Sequence, residues 1–171
     1  MANVTIRLAV TADVPAITEI YNEAILNGIS TFDTEVKSVE DRTQWLRSRS
    51  ERNPVIVAEA DGKVIGWASL NRYSDRLAYA DTVENSLYVH PGHQGLGTGK
   101  LLLAELLRLA RTHGIHTILA RVSDGNELSI GLHEKFGFKR VGVMKEVGFK
   151  FGRLLDVHLL QLILGGTRAD V

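Results

Sequence analysis

Glycine recurs at alternate positions in the run Gln94, Gly95, Leu96, Gly97, Thr98, Gly99, and Lys100 follows at once. Residues 86–89 before it read as an apolar strand. Residues 100–110 behind it are leucine-rich, with no glycine or proline, and read as a helix. Glycines this close together let the backbone approach a ligand and turn its N–H groups one way, and the helix adds the positive end of its dipole. The chemistry such a loop offers is anion binding, most simply of a phosphate or pyrophosphate. A dinucleotide fingerprint counted from Gly95 would need glycine where Lys100 stands. A P-loop would need glycine at Gln94 and Ser or Thr at Leu101. The reading without chemistry is a plain strand-to-helix turn.

Other residues near the loop have chemical potential of their own. Thr82, Glu84 and Ser86 share one pleat face of the strand that leads into it. Glu is a poor strand residue, so this one is a candidate for function as well as for a solvent-facing position. Asn126 suits a helix N-cap or an amide contact. His133 falls about two helical turns later, on nearly the same face, where a core position is the alternative. The six histidines include His90-x-x-His93 and His113-x-x-His116, but these pairs sit at loop edges with no cysteine and no carboxylate at ligand spacing. No metal is expected.

The elements that must hold these residues alternate along the chain. Residues 5–8 form a strand, residues 11–13 and Pro15 start a helix reaching about Leu26, and Ser38 with Asp41 resembles a capping box for a helix to about Arg52. Asp61-Gly62 signals a hairpin between strands 55–60 and 63–70. Strand 81–89, the glycine loop, a helix to His113, strand 115–122, a helix 127–135 and strands 139–146 and 154–164 follow. The pattern predicts an α/β (α+β) fold with a mixed, mainly antiparallel central sheet flanked by helices. It reads as one domain over residues 1–171, with its core at about 4–164 and a short tail at 165–171.

Composition narrows the partners. The 171 residues carry 20 basic and 20 acidic side chains and no cysteine. Neutral charge argues against nucleic acid or an anionic membrane, and the absence of thiols excludes disulfides and cysteine nucleophiles. The first residues lack a signal-peptide core and no apolar run approaches a membrane span, so a soluble, cytoplasmic protein is expected.

Two ordered motifs carry a resemblance. Gln94 to Gly99 fits Q-x-x-G-x-G, the pyrophosphate loop of the GNAT acyl-CoA-dependent N-acetyltransferases. Asn126, Ser129, Gly137 and Phe138 fit the N-x-x-[SA]-x7-G-[FY] segment that follows it there. Residues 17–22, 30–32, 82–89, 132–134 and 147–153 further resemble the phosphinothricin and methionine sulfoximine N-acetyltransferase family, a likeness running from about Ile6 to Leu164. Leu154 departs from it, standing where the family usually has Trp, and residues 71–80 form a stretch that varies within it.

The resemblance implies an enzyme that uses acetyl-CoA, without a metal, to acetylate the α-amino group of a small amino acid. It assigns Gly95, Leu96, Gly97, Thr98, Gly99 and Lys100 to the cofactor phosphates. Lys135 is a further cofactor residue, and His93 is available to the phosphates. Leu87, Tyr88 and Val89 would pair with the pantetheine arm through their backbone, one N–H polarising the thioester oxygen, and Asn126 would meet the same arm. Glu84 becomes the general base, and His133 an acid or a positioning residue. Phe32, Ser74, Asp75, Arg76, Tyr79, Asn85 and Ser86 fall on the acceptor side. Arg76 is placed to grip a carboxylate, with Arg72 in reserve. A homodimer with residues 147–153 near the active-site mouth is implied. Another amine acceptor, or a non-catalytic acyl-CoA sensor, are the competing readings.

Overall fold

The computed structural model describes residues 3–165. Its strands are β1 (Thr5–Leu8), β2 (Val55–Ala60), β3 (Lys63–Arg72), β4 (Thr82–Val89), β5 (Thr117–Ser123), β6 (Lys139–Lys150) and β7 (Arg153–Ile163). They form one sheet in the order β1-β2-β3-β4-β5-β7-β6. Every neighbouring pair is antiparallel except β4 and β5. Parallel pairing there follows from the connection, because the chain leaves β4 and returns to the same end through a helix. The mixed, mainly antiparallel α/β arrangement expected from the sequence is the one observed. The expected tail lies outside the described residues from position 166 onward.

Helices α1 (Val14–Asn27) and α2 (Val39–Arg47) pack on one face of the sheet, α3 (Thr98–Thr112) and α4 (Glu127–Lys135) on the other. Leu102, Leu103 and Leu106 of α3 are fully buried against Ile56, Ala68, Leu70, Val83 and Ile118. Each such leucine contributes about 1.5–3 kcal/mol by leaving water. On the opposite face Ile17 and Ile20 of α1 cover Val55, Val57 and Trp67. The sheet is thus fixed from both sides at β3 and β4, which carry the residues of interest. Among the described residues no helix is long and apolar enough to cross a membrane.

Local signals explain most of the element ends. Asp61 and Gly62 both adopt positive φ, 49° and 73°, in the two-residue turn that the Asp-Gly pair demands. The Ser38 hydroxyl accepts from the Asp41 N–H at 3.0 Å and the Asp41 carboxylate from the Ser38 N–H at 3.3 Å, so the capping box forms.

The largest departures from the expected boundaries are two. Helix α2 ends at Arg47 instead of about Arg52, because Arg49 turns out of the helix to donate to the carbonyls of Asn53 and Leu70 and to Asn71 Oδ1. The second is at residues 147–153, left by the sequence pattern between strands 139–146 and 154–164. Strand β6 continues to Lys150, and only Phe151 and Gly152 turn, with φ of 51° and 74°. A two-residue turn of this kind extends the hairpin into the segment.

Candidate active site

Strands β4 and β5 pair only from Thr82 opposite Thr117 to Glu84 opposite Leu119. Beyond that point each follows its other neighbour, β4 with β3 as far as Val89 and β5 with β7 as far as Ser123. The sheet opens in a wedge, and residues 85–89 have no partner on β5. Unpaired strand edge of this kind accepts an extended ligand as an added strand. A cleft of about 440 Å³ occupies the wedge, lined among others by residues 84–88 of β4, residues 120–123 of β5, the loop at 29–32 and one side of α4.

The glycine loop lies just past the end of β4. Gln94 folds back so that its amide donates to the Val89 carbonyl at 3.1 Å, tying the loop to the strand. Gly97 takes φ of 87° as the N-cap of α3, a left-handed conformation that costs a side chain-bearing residue strain. The N–H groups of Thr98, Gly99 and Lys100 head a 15-residue helix and have no acceptor within it, which is the arrangement an anion needs. Leu87 connects loop and cleft. It lines the cleft, and its side chain lies 3.6 Å from where a Cβ on Gly99 would stand.

Successive residues of β4 serve opposite faces of the sheet. On the α1 side stand Glu84, Ser86 and Tyr88. Arg121 of β5 donates from Nε to Glu84 Oε1 at 2.7 Å, with the Glu84 side chain 18% exposed and Arg121 58% exposed. Ser86 is held by Asn71, whose amide donates to its hydroxyl at 2.9 Å and whose oxygen accepts from Arg49. Tyr88 packs at 4.8 Å from Trp67 and 5.1 Å from Tyr21, and burial pushes its phenol well above the ordinary range.

On the α4 side stands Asn85, 8% exposed, whose Nδ2 lies 2.9 Å from His133 Nε2. The other ring nitrogen, Nδ1, is 2.7 Å from the Ser129 carbonyl. A carbonyl only accepts, so Nδ1 carries the proton and neutral His133 accepts from Asn85 at Nε2. His133 is 3% exposed, and Phe138 meets its ring edge-on at 4.9 Å. Burial lowers its pKa, against a smaller opposing effect of the Ser129 hydrogen bond. The Asn85 Oδ1 is left buried without a partner. A buried orphan acceptor is costly unless a ligand supplies the donor, and an amide N–H fits it.

One side of the cleft is shaped from β6. The Lys150 ammonium, 4% exposed, donates to the carbonyls of Gly28 at 2.7 Å, Thr31 at 2.8 Å and Ala24 at 3.4 Å. It thereby caps the C-terminus of α1 and pins the 29–32 loop to the sheet. Burial lowers the pKa of Lys150. The same loop is tied to α1, since the Tyr21 hydroxyl donates to Asp33 at 2.8 Å and bonds Thr31 at 3.1 Å. Phe32 lies over Gly148, where a Cβ would stand 2.1 Å from the ring, so any other residue there displaces Phe32. Between Met144 and Gly148, strand β6 bulges by two residues relative to β7. Asp156 stabilises the bulge, accepting from Lys145 Nζ at 2.7 Å and the Glu146 N–H at 2.9 Å.

The cleft brings together Phe32, Glu84, Asn85, Ser86, Leu87, Tyr88, Asn126 and His133 from the sequence-derived set. Val89 and residues 95–100 continue from its end. Lys135 is exposed in the last turn of α4, and Ser74, Asp75, Arg76 and Tyr79 stand in the connection between β3 and β4. None of these five lines the cleft. Asn126 also caps α4, accepting from the Ser129 N–H at 3.3 Å. Sequence reasoning missed Arg121, Lys150 and Asn71. An arginine alternating with the core residues Ala120 and Val122 was the one available signal. Among the described residues no group of three or more His, Asp or Glu could hold a metal ion.

Comparison with known proteins then decides the family. Residues 15–138 match the model of the Acetyltransferase (GNAT) family. The chain belongs to the GNAT acetyltransferase family. Among its GNAT relatives is the L-methionine sulfoximine/L-methionine sulfone acetyltransferase of Salmonella typhimurium, 42% identical over 94% of each chain. The phosphinothricin N-acetyltransferase of Streptomyces coelicolor is 38% identical over 91% of this chain and 94% of its own. Of solved structures, a GNAT phosphinothricin acetyltransferase from Sinorhizobium meliloti in complex with AcCoA superimposes with a TM-score of 0.89. It is 38% identical and covers 95% of this chain and 89% of its own.

Proposed function

We propose that this protein is an acetyl-CoA-dependent N-acetyltransferase that acetylates the α-amino group of a small amino acid or analogue, of the phosphinothricin or methionine sulfoximine/sulfone type, by direct transfer. The observation that carries this reading is the juxtaposition of the Glu84 carboxylate, one oxygen of which Arg121 leaves unbonded, with the unpaired edge of β4. Relatives named for methionine sulfoximine and phosphinothricin support the acceptor class.

In this reading Gly95, Leu96, Gly97, Thr98, Gly99 and Lys100 hold the pyrophosphate, and the free edge at Leu87, Tyr88 and Val89 hydrogen-bonds the pantetheine arm. The orphan Oδ1 of Asn85 accepts an amide N–H of that arm, with Asn126 beside it. Acetyl-CoA supplies the thioester carbonyl. Glu84 Oε2 takes a proton from the acceptor ammonium, freeing the nitrogen lone pair to bond the carbonyl carbon. A backbone N–H of β4 holds the charge that develops on the carbonyl oxygen. The carbon–sulfur bond then breaks, the electron pair leaves on sulfur, and the proton still carried by nitrogen is released to balance the thiolate. His133 acts as a positioning residue that fixes the Asn85 amide, because both its ring nitrogens are already engaged. Phe32 forms an apolar wall of the acceptor end.

The protein acts as a cytoplasmic homodimer in this proposal. The support is that Phe149 and Phe151 at the β6–β7 hairpin are 67% and 56% exposed, beside the cleft wall formed by Val147. A thiol-release assay with acetyl-CoA across a panel of amino acids and simple amines tests the function. Turnover of methionine sulfoximine or phosphinothricin is the expected result. Binding of acetyl-CoA with no CoA thiol released in the presence of any acceptor would leave only a sensor.

A further inference from the structure

Arg121 stands two residues past Leu119, the partner of Glu84, so both side chains rise from the same face on adjoining strands. Its Nε is spent on Glu84 Oε1. Among the described residues no further hydrogen bond occupies its two terminal nitrogens, and their end-on fork remains open. Arg121 is also the one arginine or lysine that lines the cleft among the described residues. Arg76 stands exposed outside it.

An α-amino acid presents an ammonium and a carboxylate one carbon apart. The Glu84–Arg121 pair presents the complement, a carboxylate oxygen beside a guanidinium fork. We infer that Arg121 binds the carboxylate of the acceptor amino acid, an inference that rests on the amino-acid acetyltransferase reading above. Guanidinium matches carboxylate geometry with two parallel N–H···O bonds. Charge requires the same placement. A substrate carboxylate near Glu84 without Arg121 would set two anions against each other in a partly buried site. With Arg121 between them, the ammonium faces Glu84 and the carboxylate faces the fork. The unbranched amine that lacks the carboxylate gains nothing from this group.

The test compares Arg121→Gln and Arg121→Lys with the parent enzyme on two acceptors, the best amino acid and its decarboxylated amine. Arg121→Gln should raise KM for the amino acid about tenfold or more, the scale of a lost charged hydrogen-bond pair. Because Arg121 also bonds Glu84, some loss is expected on the amine too, but it should be at least about tenfold smaller than on the amino acid, and Arg121→Lys should recover part of the amino-acid loss. An equal defect on both acceptors would mean that Arg121 only steadies Glu84, and would overturn the inference while leaving the function intact. A tenfold KM rise in Arg76→Ala with none in Arg121→Gln would overturn it as well, moving the carboxylate to Arg76. Were the parent enzyme to turn over amines but no amino acid, the functional reading would fall first.

Discussion

His133 is a neutral imidazole with its proton on Nδ1, and that state has a cost at low pH. Unfolded, the ring titrates near its ordinary 6.5, whereas burial lowers the value in the folded protein. Between the two values the unfolded chain binds a proton that the folded chain does not, so stability rises with pH across that window. Above about 6.5 the folded state carries no penalty, and below it stability is progressively lost. Denaturant titrations at pH 7.5 and at pH 5 should show this loss in the parent and a flatter profile in His133→Gln. An identical pH dependence in both would assign it elsewhere. Glu84 stood out in the sequence because it is charged within a strand. Its partner Arg121 lies 37 positions away, and their meeting depends on a parallel register that no local pattern encodes. Lys150 is harder still to read, since the carbonyls it holds are 119 to 126 positions distant.

The glycine loop was legible at the level of the element, because its conformation is set by its own residues. Gly97 at φ 87° has no atom within 4 Å of where a Cβ would stand, so backbone strain disfavours substitution there before any ligand arrives. Gly97→Val should distort the start of α3 and place its side chain where a phosphate must approach, and calorimetry should detect loss of CoA binding by at least about tenfold. Unaltered affinity would refute the loop assignment. The wedge between β4 and β5 was not legible. It arises because two strands in parallel contact each stay with an antiparallel neighbour, a competition decided by the whole sheet. The bulge in β6 was likewise hidden, since Asp156 on another strand stabilises it.

For the whole molecule, a sheet clamped by helices on both faces leaves the wedge as the natural place for a ligand, and the matching GNAT family uses this fold for acetyl transfer. In the proposed homodimer the exposed aromatics of the β6–β7 hairpin would form the contact. Phe151 holds φ of 51°, where asparagine or glycine would be relaxed, although its side chain is largely in solvent. A dimer contact is a reason to keep it, and light scattering at micromolar concentration should give twice the chain mass, reverting to one in Phe149→Asp. A monomeric parent would reject the assembly. The role of Glu84 as the base is tested most directly by the pH profile of kcat/KM for Glu84→Gln against the parent. At neutral pH the variant should lose about 10²–10⁴-fold with CoA affinity unchanged, and the gap should narrow as rising pH deprotonates the acceptor amine. A loss below about threefold that does not vary with pH would contradict it.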